Sequence, residues 1–190
     1  ALLLKYKEKI CHFSSKRLHI EEIFDKNKIK SELGLVGLQI IPKNPRDIRY
    51  KNLGVSSSHF FIFYEDINGS IAQTHPSSIA DPKNIESGSF LSNQTVSTNE
   101  LKSIELLQTN PSLEGQTLVY KILDTYSKEI ISEKQEYIPP MGVRKIKFEL
   151  ENLHEKFKFV LVSINKLPSS NSKPLLKRIY KNGLYSMSHS

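Results

Sequence analysis

The chain has 190 residues, 38% of them hydrophobic, with one cysteine, no tryptophan and a formal charge of +7 at pH 7. That length fits one domain or two small ones, and the lone Cys11 excludes an intrachain disulfide. The longest apolar runs, ALLL and FFIFY, fall far short of the roughly 20 residues that span a bilayer, and no spacing of Cys and His suits a zinc site.

In chain order, the first candidate element is LHIEEIFDKNKIKSEL (18–33), the one stretch whose pattern allows a helix. Next, SHFFIFYED and SIAQTH flank Ile67-Asn68-Gly69, and Asn-Gly between apolar runs is a strong hairpin signal. The register of that hairpin decides which side chains share a face. With a two-residue loop, Ile67 pairs with Ser70 and His75 points away from His59. With a three-residue loop, Asp66 pairs with Ser70 and His75 shares the face of His59. HPSSIADPKNIESGS (75–89) reads as a long loop, and a domain boundary is expected near Ser97.

Further along, TLVYKILD (117–124) and KEIISEKQEYI (128–138) flank the turn DTYS. YIPPMGV follows as a rigid loop, with two prolines fixing φ and Gly142 expected to permit the reversal. In RKIKFEL, Ile146, Phe148 and Leu150 alternate with Lys145, Lys147 and Glu149, the period of a half-buried strand. FKFVLVSI (157–164) is apolar on both faces, as a central strand is. The chain closes with YKNGLYSMSHS, read as a strand, a turn at Asn182-Gly183 and a return strand carrying Ser186, Ser188 and His189.

That ending echoes an earlier segment, YKNLGVSSSH (50–59). Arg49 matches Arg178 at an offset of 178 − 49 = 129, and His59 matches His189 at 189 − 59 = 130. Weaker matches set 35–45 against 160–174 and KRLHIEEIF (16–24) against RKIKFELENL (144–153). These anchors indicate an internal repeat of about 130 residues. The reading is all-β: two related antiparallel β-sandwiches of immunoglobulin or fibronectin type, at 1–97 and 98–190, each of about seven strands, the first truncated at its N-terminal side.

No nucleophile constellation, Gly-rich phosphate loop or cofactor motif is visible. Ser-x-Ser-His at His59 and His189 suits a polar, ligand-contacting pocket, and His59 with His75 is the one candidate pair for a metal. Arg49, Tyr50 and Lys51, repeated as Arg178, Tyr180 and Lys181, set cations beside an aromatic ring. A phosphate backbone or acidic glycan would use that combination, and a lysine-rich edge that blocks aggregation would show it too. The sequence is thus read as a non-catalytic binding module for an extended carbohydrate or other polyanion, needing no cofactor. The alternatives are a structural or assembly protein packing on partner chains, and a small metal- or His-dependent enzyme.

Overall fold

The computed structural model describes residues 4–9, 16–30, 62–65, 71–74, 90–110, 112–167 and 174–189. The chain divides into two compact units, 1–34 and 35–190.

In the first unit, helix α1 spans Ile20–Lys26. Ile20, Ile23 and Phe24 recur at helical spacing, Glu21 and Glu22 sit in the first turn and Lys26 in the last. Each charge therefore opposes the helix dipole. Asn27 ends the helix: its Nδ2 donates to the Ile23 carbonyl at 2.7 Å, and Lys28 turns left-handed at φ +55°. The expected repeat pairs this segment with 144–153, which is strand as far as Glu149. The repeat therefore finds no support at this anchor, because the first copy has period 3.6 and acidic N-terminal residues where the second has strict alternation. Most of the remaining first copy, 31–59, lies outside the described residues.

The second unit is built on strands. The hairpin of β1 (Ile62–Glu65) and β2 (Ile71–Thr74) pairs Ile62 with Thr74 and Glu65 with Ile71, the register of the three-residue-loop alternative. Eight further strands form two four-stranded antiparallel sheets that face each other as a sandwich. One sheet runs β10 (Tyr185–His189), β9 (Leu175–Tyr180), β4 (Leu101–Asn110), β7 (Gly142–Glu149). The other runs β3 (Phe90–Ser97), β8 (Phe159–Leu167), β5 (Gln116–Asp124), β6 (Ile130–Ile138). Seven of these strands follow Thr98. β3 precedes it and is hydrogen-bonded to β8, so the sheet extends across the boundary expected at Ser97.

The core lies between the sheets. Ile104 and Leu106 of β4, Ile146 and Phe148 of β7 and Leu176 of β9 meet Leu118, Tyr120 and Ile122 of β5 and Val160, Val162 and Ile164 of β8. Each set is one face of an alternating strand, and burying that face is the main term holding the sheets together. β8 occupies a central position, as its double-sided apolarity predicts. Where β3 crosses to β4, Thr98 is buried and its hydroxyl donates to the carbonyls of Phe157 and Lys158, tying the crossover to the entry of β8.

One turn works differently from its expected form. Between β6 and β7 the left-handed residue is Met141 (φ +48°), not Gly142. Gly142 is required because a Cβ there would stand 2.5 Å from Pro139 Cγ and 2.8 Å from the Pro139 carbonyl oxygen. Close backbone approach, rather than conformational freedom, selects the glycine.

Candidate functional site

The sequence-selected residues that the structure describes converge on the β9–β10 hairpin. The hairpin turn is made by 181–183: the Gly183 N–H donates to the Tyr180 carbonyl at 3.0 Å, and the Tyr180 N–H donates to the Leu184 carbonyl at 2.9 Å. Gly183 lies at φ +84°, the left-handed position that closes a three-residue hairpin loop. Register then sorts the side chains. Arg178 pairs with Ser186 and with Ile104, and Leu176 pairs with Ser188 and Leu106. Ile104 and Leu106 are core, so Arg178, Ser186 and Ser188 face the space between the sheets.

There they meet β3 from the opposite sheet. Gln94 Nε2 donates to Ser188 Oγ at 2.8 Å, and Arg178 Nη1 donates to the same oxygen at 3.0 Å. Tyr180 OH and Ser186 Oγ are bonded at 3.1 Å. All five residues are half-buried. The edge of the sandwich between β3 and β10 is therefore closed by polar groups, with Ser92 of β3 buried just inside.

The donor and acceptor inventory of this edge is unequal. Two incoming bonds fill the lone pairs of Ser188, leaving its O–H as a donor. Arg178 carries five N–H donors and donates one to Ser188, and among the described residues no carboxylate pairs with it. A half-buried guanidinium without a counter-charge is expensive unless an acceptor meets it. Among the described residues, the groups left without a partner here are several N–H donors, a hydroxyl donor and the Gln94 carbonyl, at one place. They match an oxyanion flanked by hydroxyl groups.

On the outer face of the same hairpin, Lys177 Nζ stands 4.3 Å from the centre of the Tyr185 ring. That is the cation–aromatic combination expected of this region, made by neighbours of the residues singled out for it. Lys181 is exposed in the turn, apart from the polar edge, where its N–H donates to the Glu100 carbonyl at 2.9 Å. His189 is the last residue of β10 and pairs with Leu175. Arg49, Tyr50, Lys51, His59 and His75 lie outside the described residues. Among the described residues no three His, Cys, Asp or Glu side chains group as metal ligands, and no helix is long and apolar enough to cross a membrane.

Gln94 is the member that sequence reasoning missed. It sits inside the tripeptide Asn93-Gln94-Thr95, with nothing local to distinguish it, and joins the site through a side-chain bond to a residue of the other sheet, 94 positions away. A second feature, a shallow depression of about 360 Å³, lies where β3 crosses to β4, lined by Ser97, Thr98, Asn99, His154, Lys158 and Phe159. The Nδ1 of His154 stands 2.9 Å from the Glu151 carbonyl oxygen, a contact that belongs to the local turn.

No family model matches the chain, and no curated protein matches it in sequence. Among solved structures, one described as "CBM4 structure and function" is similar at 10% identity, covering 74% of this chain and 83% of that one, with a TM-score of 0.30. At that level of likeness, the functional reading rests on this chain's own residues.

Proposed function

We propose that the protein is a non-catalytic binding module for an acidic, hydroxyl-rich ligand such as an acidic glycan, held at the β3–β10 edge. The observation that supports this reading is the Arg178 guanidinium, half-buried, paired with no carboxylate among the described residues and set among Ser188, Gln94 and the Tyr180–Ser186 pair. Arg178 would take the carboxylate or sulfate of the ligand in a forked pair, while Ser188 and the Gln94 carbonyl meet neighbouring hydroxyls. Lys177 and Lys181, on the outer face and in the turn, add long-range attraction rather than contact.

The test is a binding screen of the full chain against neutral glycans, acidic glycans and single-stranded nucleic acid at low and moderate salt. Acidic glycans should bind and weaken as salt rises. Arg178→Gln should weaken them by about tenfold or more, the loss expected for a charged hydrogen bond. Ser188→Ala should weaken them less. Binding that survives Arg178→Gln, or that is confined to neutral glycans, rules out the assignment. A nucleic-acid preference lost on removal of Lys177 and Lys181 alone moves the site to the outer face of the hairpin.

A further inference from the structure

The opposite end of the sandwich carries a different arrangement. Here β4 ends at Asn110, β5 begins at Gln116, β6 ends at Ile138 and β7 begins at Gly142. Two short connections meet at this end and are locked together. Asn110 is buried beneath them. Its Nδ2 is shared among the carbonyls of Glu114 (2.7 Å), Pro139 (3.2 Å) and Ile138 (3.3 Å), and its Oδ1 accepts from the Ser112 N–H at 3.0 Å. The Met141 N–H adds a bond to the Ser112 carbonyl at 3.0 Å.

What this frame holds outward is apolar. Leu113 is 56% exposed, Met141 51% and Tyr137 54%. The backbone bond from Met141 to Ser112 sets Leu113 and Met141 side by side. Tyr137 lies against Gly115, where an added Cβ would stand 2.0 Å from its hydroxyl oxygen. Met141 holds a left-handed backbone that a branched or long side chain rarely adopts. A large apolar side chain is thus kept in solvent at a position where glycine would sit more easily. Arg144 and Lys145 are exposed at the start of β7, and among the described residues neither pairs with a carboxylate; Arg144 Nη1 donates to the Val143 carbonyl at 3.4 Å. Glu114 and Glu136 share this end, within a chain of net charge +7.

We propose that this end of the sandwich docks on an anionic lipid surface, with Leu113 and Met141 entering the interfacial layer and Arg144 and Lys145 meeting the headgroups. Rigid apolar tips lose little conformational freedom on insertion, a tyrosine suits the boundary between hydrocarbon and headgroup, and flanking cations supply attraction to acidic lipid. The proposal is independent of the Arg178 edge, at which neither Leu113 nor Met141 takes part.

The experiment is cosedimentation of the full chain with phosphatidylcholine vesicles, with and without phosphatidylserine. Binding should require phosphatidylserine and fall with salt. Leu113→Ser with Met141→Ser should lower the partition coefficient about tenfold. Arg144→Gln with Lys145→Gln should lower it several-fold. Ile130→Ser, which alters an exposed apolar residue at the other end, should leave it unchanged. Met141→Gly separates docking from folding: glycine is at ease at this φ, so the variant keeps its fold and still loses affinity. Absence of binding, or binding unaltered in the Leu113/Met141 double variant, overturns the proposal. So does vesicle-independent dimerisation that the same substitutions abolish, which makes a second copy of the chain the occupant.

Discussion

Asn110 and Tyr120 are both fully buried side chains with polar atoms, and they sit in opposite situations. Asn110 engages four backbone groups of the two connections above it. Asn110→Ala strands those groups in the interior, and urea unfolding should show a loss of about 2–4 kcal/mol. Among the described residues the Tyr120 hydroxyl has no hydrogen-bond partner, and burial, with help from the nearby Glu136 charge, pushes its pKa upward. An unpartnered buried hydroxyl costs stability, so Tyr120→Phe should raise the unfolding free energy by about 1 kcal/mol. If Tyr120→Phe destabilises instead, the hydroxyl has a water partner. The sequence could not separate these two residues, because what distinguishes them is which backbone groups the fold brings within reach. Gly142 teaches the same lesson: its place beside two prolines was legible, but the reason for it is the ring of Pro139.

At the scale of elements, alternation carried most of the information. Lys145 to Leu150 reads off as a strand with Ile146, Phe148 and Leu150 inward, and all three are core. The β5–β6 hairpin was legible from its turn, DTYS. Within it the Ser127 N–H donates to Asp124 Oδ2 at 2.8 Å, and Lys128 is left-handed at φ +63°. That backbone bond is the main reason the Asp124 carboxyl lies below its ordinary value of 3.8. A carboxyl held low in the folded state stabilises the turn above its unfolded pKa. It loses that contribution as pH falls through the folded value. The Ser127 amide resonance should therefore titrate with a midpoint below 3.8, and Asp124→Ala should abolish the titration. An ordinary or raised midpoint would mean the bond does not persist in solution. The helix was legible in part. The 18–33 window contained it, but only Ile20–Lys26 is helical, because Asn27 and Lys28 stop it before the later lysines.

For the whole molecule, strand spacing and turn chemistry were enough to give an all-β antiparallel sandwich. Which strands face each other was not encoded in any local pattern. The polar edge shows this best. Arg178, Tyr180, Ser186 and Ser188 stood out as a cluster in the chain, yet their chemistry depends on Gln94 of the other sheet, and a strand's alternation does not name its partner across the core. The repeat finds no support at 16–24 for a related reason: similar residue types in a Lys- and Ile-rich chain can carry period 3.6 in one place and period 2 in another. Both ends of the sandwich are fixed by side chain to backbone bonds, Thr98 at one and Asn110 at the other.

The ladder between β3 and β8 joins Ser97 to Phe159 and Phe90 to Leu167, and β4 takes both of its neighbours, β7 and β9, from later in the chain. During synthesis, then, β3 and β4 leave the ribosome with unpaired edges and wait for their partners. The hairpin of β5 and β6 can form early, but its sheet closes only once β8 has emerged as far as Leu167, and the other sheet only once β10 has emerged as far as His189. Loop closures of this length slow folding and leave strand edges exposed meanwhile. A nascent chain stalled before Phe159 would carry most of the core's side chains and have no finished sheet in which to bury them.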